Sequence, residues 1–308
     1  MDSEHAPNAL DAVDQTLRQL WWAMRQAVQP EDIWLLEQTA ATVGWRKVWL
    51  DWLRVRGLAA DTRWLDVGTG PGALTIEALG RFPEVSATGL DRDPDMLRYS
   101  QMAAEIFGVK DRLTLTAGDA TALPFPSAHF DVVTARYLAQ HLPDPGQMVR
   151  EAFRVLKPGG SLLLIDIDDG AMLTDPETPS DGTLLMEAFR RSQGRGGGDR
   201  RVGHRLPRLL VDSGFTAVNV LAQPWTQIVD RADMREATWT IERDRLLSHQ
   251  AQIQEDLGWS KRQFSEALEH YRQWNLALTF VLIMEIGAFG IRPLADPKAA
   301  GVSQEEVD

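Results

Sequence analysis

The sequence predicts an α/β protein built on a doubly wound, mostly parallel sheet, and three observations predict it. From Arg63 onward, short apolar runs alternate with amphipathic stretches. The runs are apolar throughout rather than on every second residue, the pattern of strands covered on both faces. A glycine-rich turn, Gly68-Thr69-Gly70-Pro71-Gly72, joins the first run to the stretch behind it, where such a sheet needs a tight strand-to-helix connection.

In chain order, residues 10–56 carry apolar side chains at helical spacing, broken at Gln29-Pro30-Glu31-Asp32, where proline and acids suit a helix start. Two or three helices therefore precede the sheet. Residues 63–67, 85–91, 113–117, 130–135 and 161–166 read as strands, with helices over 72–79, 94–107 and 145–156 between them. From Asp168 to Arg201 the chain turns to Asp, Pro, Ser and Gly, including Gly194-Arg195-Gly196-Gly197-Gly198, which reads as a mobile loop. A helix over 206–213 is ended by Gly214. Then follow a strand near 218–229, a polar helical stretch over 231–274 and a last apolar run, 278–289. This organisation divides into an N-terminal helical cap (1–60), a core (61–230 and 277–293), an inserted helical lid (231–276) and a disordered tail (294–308).

With 44% hydrophobic and 25% charged residues over 308 positions, the chain has the composition of an ordinary globular protein. A net charge of -12 repels polyphosphates, so no nucleic acid is expected as a partner. The absence of cysteine excludes disulfides, thiolate metal sites and a cysteine nucleophile, and no metal is expected. The first thirty residues lack a basic start and an apolar core, and the run at 276–289 is broken by Thr279 and Glu285. Neither a signal peptide nor membrane insertion is expected, which points to the cytoplasm. The helices leave a homodimer open.

The glycine turn lets backbone approach a nucleotide-sized ligand beyond the carboxyl end of the first strand. Gly68, Gly70 and Ala73 also satisfy the dinucleotide pattern GxGxxA, so the turn alone does not choose a ligand. Asp91, at the next strand end, is placed to accept from both hydroxyls of a ribose. Asp119, after the third strand, is placed to accept from an adenine amino group while the Ala120 amide donates to the ring.

These residues, with Phe130-Asp131-Val132-Val133, Gln140-His141-Leu142-Pro143-Asp144-Pro145 and Leu156-Lys157-Pro158-Gly159-Gly160 in that order, resemble the class I S-adenosylmethionine-dependent methyltransferases. The resemblance is to the branch of ubiquinone/menaquinone C-methyltransferases and natural-product methyltransferases. It is strongest over 61–168 and silent before residue 60. It implies a Rossmann-like sheet of seven strands ending in an antiparallel strand, with S-adenosyl-L-methionine as cofactor and S-adenosyl-L-homocysteine as product. It implies that Asp66, Gly68, Gly70 and Gly72 face the methionine end, Asp91 and Arg92 the ribose side and Asp119 and Ala120 the adenine. Arg136 would meet the cofactor amino acid or the substrate. Arg92 stands where relatives often place an apolar residue, and Gln140-His141 where many show two histidines.

The expected function is methylation, at oxygen or carbon, of a small hydrophobic or aromatic metabolite of natural-product or quinone-like kind. His141 and His204 are candidate bases, because an imidazole titrates near neutral pH. Trp45, Trp49 and Trp52 share one helical face, and with Tyr137 the first two are candidate walls of an apolar substrate pocket. Asp131 reads as a structural hydrogen-bonding residue, and the arginines 190, 191, 195, 200, 201, 205 and 208 read as balancing neighbouring acids rather than drawing anions. Two alternatives stand beside this reading. One is a fold that binds the cofactor without methyl transfer, for example a cyclase. The other is a nicotinamide-dependent oxidoreductase, for which no Tyr-x-x-x-Lys pair is visible.

Overall fold

A computed structural model describes residues 9–294 apart from 30, 31, 34, 37, 38, 40–42, 44, 45, 57 and 229–231. Helices α1 (Ala9–Ala23) and α2 (Arg46–Val55) precede β1 (Arg63–Val67). Alternation follows, broken only where β3 runs on to β4 without a helix: α3 (Ala73–Arg81), β2 (Ser86–Asp91), α4 (Pro94–Ile106), β3 (Leu113–Ala117), β4 (Phe130–Arg136), α5 (Pro145–Val155) and β5 (Leu156–Ile167). The helix starts are locally encoded. Asp93 accepts from the Asp95 amide and Asp144 from the Gln147 amide, each followed by a proline in the first turn.

Strands β1 to β5 are parallel in the spatial order β3-β2-β1-β4-β5. Burial confirms two covered faces. Trp64, Val132, Leu163 and Ile165 join one core with α1 to α4, whereas Leu65, Val133, Leu162 and Leu164 join another with α5 and the short helix α7 (Leu206–Asp212). The sheet closes with β7 (Thr216–Ile228) and β8 (Phe280–Ile291), β8 lying antiparallel between β5 and β7.

Eight strands are present among the described residues, rather than the seven the family resemblance implies. The twelve residues of β8 outrun β5, which covers only Glu285–Ile291, and the three-residue β6 (Leu173–Asp175) takes up the remaining edge at Phe280–Leu282. The expected loop from Asp168 to Arg201 is also corrected. It contains β6 and the sixteen-residue helix α6 (Ser180–Arg195). The helix formers between its flanking prolines and glycines are fixed by packing, because Leu185, Met186 and Phe189 enter a third core with Trp239, Leu246, Phe264, Tyr271 and Trp274. Those partners lie on α8 (Ala232–Ser248) and α10 (Lys261–Ala277), with α9 (Gln250–Leu257) between them. The four helices form one layer, and α10 begins with a Ser260/Gln263 capping box. The tail 295–308 lies outside the described residues. No helix among the described residues is long and apolar enough to cross a membrane.

Candidate active site

The glycine turn sits at the carboxyl end of β1. Gly68, Gly70 and Gly72 all have left-handed backbones, with φ of 68°, 56° and 84°. Two are also sterically required: a Cβ at Gly68 would meet Leu138 at 2.9 Å, and one at Gly72 would meet Ser100 Oγ at 2.7 Å. Gly70 differs, since a Cβ there meets nothing within 4 Å. Its backbone faces open space, the cradle a close-lying ligand needs.

Hydrogen bonds lock the turn to the neighbouring strand ends. The Gly68 and Thr69 amides donate to the Leu90 carbonyl, at 2.7 and 2.9 Å. The Gly70 amide donates to Asp91 Oδ2 at 2.8 Å, and the Gly118 amide to the Asp91 carbonyl at 3.0 Å. Asp91 Oδ1 accepts from the Asp93 amide. A carboxylate offers about four lone-pair directions, so capacity remains for a further donor pair. Asp119 Oδ1 accepts from the Thr121 amide and hydroxyl, both at 2.7 Å, which hold its pKa below the usual range. Its Oδ2 makes no hydrogen bond among the described residues. Ala120, behind it, is buried. Arg92 is exposed, and its charge acts on both Asp119 and His141.

Asp66 has another situation. It is buried beneath the turn, and both oxygens accept from threonine hydroxyls, Thr75 on α3 and Thr134 on β4 at 2.6 Å. Burial raises its pKa against the opposing effect of those hydroxyls. It fastens β1 to its neighbours.

Arg136 ends β4 with its guanidinium paired to Glu285 Oε1 at 2.9 Å and lying over the Tyr137 ring, 3.8 Å from the centroid. Its Nε is buried without a partner. The Tyr137 hydroxyl also donates to Glu285 Oε1. Trp49, expected in a substrate pocket, is corrected: it has no exposed surface, its indole N–H donates to Glu285 Oε2 at 2.8 Å, and its ring fills the space over Gly287. A tryptophan stripe facing a sheet buries more area in the core than at a pocket rim. Trp45 lies outside the described residues.

Beyond β4, a short 3₁₀ turn, Ala139–His141, carries the candidate base. His141 is accessible, yet the protein around it, followed by the charges of Arg200, Arg245 and Arg92, lowers its pKa. Arg245 belongs to α8, so the helical layer reaches over this end of the sheet. Asp166, at the end of β5, accepts from the Gln140 amide at 3.1 Å and the Ile167 amide at 2.9 Å. Burial pushes it up to about 7. One residue past β5, Asp168 Oδ2 accepts from the His204 amide at 2.9 Å and lies 2.7 Å from Nδ1. That contact orients the imidazole, whose side chain is 66% exposed.

Sequence reasoning missed Asp166, Asp168 and Glu285. The first two carry the same signal as Asp91, an acid at a strand end. Glu285 interrupts an apolar run, and an acid there is seldom buried without a partner. Asp131 is structural: it accepts from the Arg63 amide and pairs with Lys157 at 2.6 Å. Each of the seven clustered arginines pairs with a carboxylate, including Arg200 with Asp169 at 2.7 Å and Arg205 with Asp199 at 2.8 Å. Among the described residues, no three His, Asp or Glu side chains group to hold a metal ion.

Residues 65–164 match the family model described as a methyltransferase domain. The ubiquinone/menaquinone biosynthesis C-methyltransferase UbiE of Roseobacter denitrificans is 37% identical over 122 residues, 40% of this chain and 48% of that protein. The 27-O-demethylrifamycin SV methyltransferase of Amycolatopsis mediterranei is 38% identical over 109 residues, 35% of this chain and 40% of that one. The chain thus spans about half the length of the relatives it matches. Among solved structures, the YcgJ protein of Bacillus subtilis is 22% identical with a TM-score of 0.53, covering 79% of this chain and 97% of its own. A candidate methyltransferase of Bacillus halodurans gives the same values. These structures share the fold.

Proposed function

We propose that the methyltransferase domain of this chain moves the methyl group of S-adenosyl-L-methionine to a small hydrophobic or aromatic metabolite, natural-product or quinone-like, at oxygen or carbon. The observation that carries this reading is the junction of three strand ends at Asp91: its side chain holds the Gly70 amide and its carbonyl the Gly118 amide, beside Asp119. The donor set fits an adenosine with an amino-acid tail. Gly70 offers open backbone, Asp91 and Asp119 offer free acceptor capacity, and Arg136 offers a buried donor without a partner.

When bound, the cofactor supplies an electrophilic methyl group on a sulfonium. The chain supplies alignment and exclusion of water, which is where most of the acceleration of such a displacement originates. An acidic phenol or carbon acid needs little further help. A neutral hydroxyl needs its proton taken, and two groups are arranged for that: His141, kept uncharged near neutral pH by its surroundings, and His204, oriented by Asp168. The acidic chain favours a small molecule over nucleic acid as partner.

Titration of the purified protein with S-adenosylmethionine and separately with NAD(H) and NADP(H), followed by mass spectrometry of products, tests the reading. Binding of S-adenosylmethionine alone, with a product one methyl group heavier, is the expected result. Nicotinamide binding alone overturns it. A rearranged product of unchanged mass, without S-adenosylhomocysteine, replaces methyl transfer with cyclisation.

A further inference from the structure

We infer that Glu285 is a positioning residue for the amino-acid end of the cofactor site, acting through Arg136 and Tyr137 and anchored in turn by Trp49. The inference rests on the cofactor reading above. Glu285 has no exposed surface, yet it collects three donors from two distant parts of the chain. Arg136 Nη2 and the Tyr137 hydroxyl donate to Oε1, and the Trp49 indole to Oε2 at 2.8 Å.

The placement makes this more than a core ion pair. Glu285 stands opposite Ile167, at the carboxyl end of β5, and Arg136 lies one residue past Ala135, the register partner of Val67. Arg136 is therefore beside Gly68. Its side chain is nine-tenths buried, with Nε lacking any acceptor among the described residues. A buried guanidinium with incomplete hydrogen bonding is costly, and the tenth of the Arg136 side chain that stays exposed leaves it open to a carboxylate arriving along the glycine turn. Tyr137 adds a second sign. It has a left-handed backbone, φ 56°, which non-glycine residues adopt only when their surroundings over-determine it. Its amide on the Ile165 carbonyl and its hydroxyl on Glu285 hold it there. Glu285 thus sets where the Arg136 guanidinium stands, and Trp49 sets where Glu285 stands.

The test compares two probes that differ only at the amino-acid end, S-adenosylhomocysteine and 5′-methylthioadenosine, by calorimetry on the full chain. Glu285→Gln keeps the shape but has one acceptor oxygen for three donors. It is expected to weaken S-adenosylhomocysteine roughly tenfold or more while leaving methylthioadenosine within about twofold. Trp49→Phe, which keeps an aromatic side chain and both charges but loses the indole N–H, shifts the same ratio in the same direction by a smaller factor. Should Glu285→Gln not fold, Trp49→Phe decides alone. Equal loss for both probes, or loss for neither, overturns the inference. Wild-type protein that binds neither probe overturns the cofactor reading and this inference with it.

Discussion

The Gly70 amide donates to Asp91 Oδ2 at 2.8 Å, so the glycine turn and the proposed ribose acceptor are one hydrogen-bonded unit across β1 and β2. Neither is positioned alone. Asp91 both shapes the turn and retains capacity for a ligand.

Replacing Asp91 by Ala is therefore expected to lower affinity for S-adenosylhomocysteine by roughly 10- to 100-fold, the effect of a lost charged hydrogen-bond acceptor. Asp119→Ala acts in the same direction and more weakly, because one of its oxygens already serves Thr121. Calorimetric titration with parallel thermal melts checks both. Undiminished affinity in the two variants removes the assignment.

Asp166 predicts a pH signature in stability. Its folded pKa of about 7 lies above that of an unfolded aspartate, 3.8. The folded protein binds the extra proton between these values, so this group's contribution to stability is greatest below pH 4 and is lost as pH rises to 7. Asp166→Asn cannot ionise. Whatever its constant offset, its stability should gain on the wild type between pH 5 and pH 8, by about 2.7 kcal/mol in free energy for the two pH units below the folded pKa. A gap that stays flat across that range contradicts the burial argument.

His141 makes a prediction in rate. Its pKa lies below 6.5 because of burial and then three arginine charges. The neutral base thus persists to lower pH than an ordinary histidine, and turnover on a hydroxyl acceptor should hold down through pH 6.5 before falling. Arg200→Gln removes the largest of the three charge effects and should move that acid limb upward. His141→Ala should abolish it, whereas a limb that survives His141→Ala and disappears in His204→Ala assigns the base to the Asp168-oriented imidazole.

The N-terminal helices predict a folding outcome. Trp21, Met24, Trp49, Leu50 and Leu53 are all buried in the same core as β1, β4 and β5. Removing them exposes about 10 kcal/mol of buried apolar surface at roughly 1.5–3 kcal/mol per side chain, comparable to the whole stability of a domain. Deletion of residues 1–56 should abolish cooperative unfolding as well as turnover. A truncated protein with a sharp melt and retained cofactor affinity would show these helices to be a detachable cap.

Gly287→Ala should cost about 3 kcal/mol, since the new methyl would overlap the Trp49 ring and neither the indole, bonded to Glu285, nor the paired β8 backbone can give way. Chemical denaturation measures it directly.

Much of the core was legible from residue order. Strand bounds at 63–67 and 113–117 match the observed strands, because apolar runs between turns are local patterns. The left-handed glycines and the Asp-Pro helix starts were equally readable, since φ preferences and caps depend on neighbours a few positions away. The helix over 180–195 was not, because Pro176, Pro179 and Gly196-Gly197-Gly198 flank its run of helix formers and its packing partners lie far along the chain on α8 and α10. Trp49 shows the same limit. Its helical stripe announced a buried face but not what would cover it, and Glu285 stands 236 positions away. Local backbone chemistry wrote the turn and its acids into the chain. The pairing of Glu285 with Trp49, Arg136 and Tyr137 came only when β8 docked against β5, because burial makes a lone carboxylate costly until every donor around it has arrived.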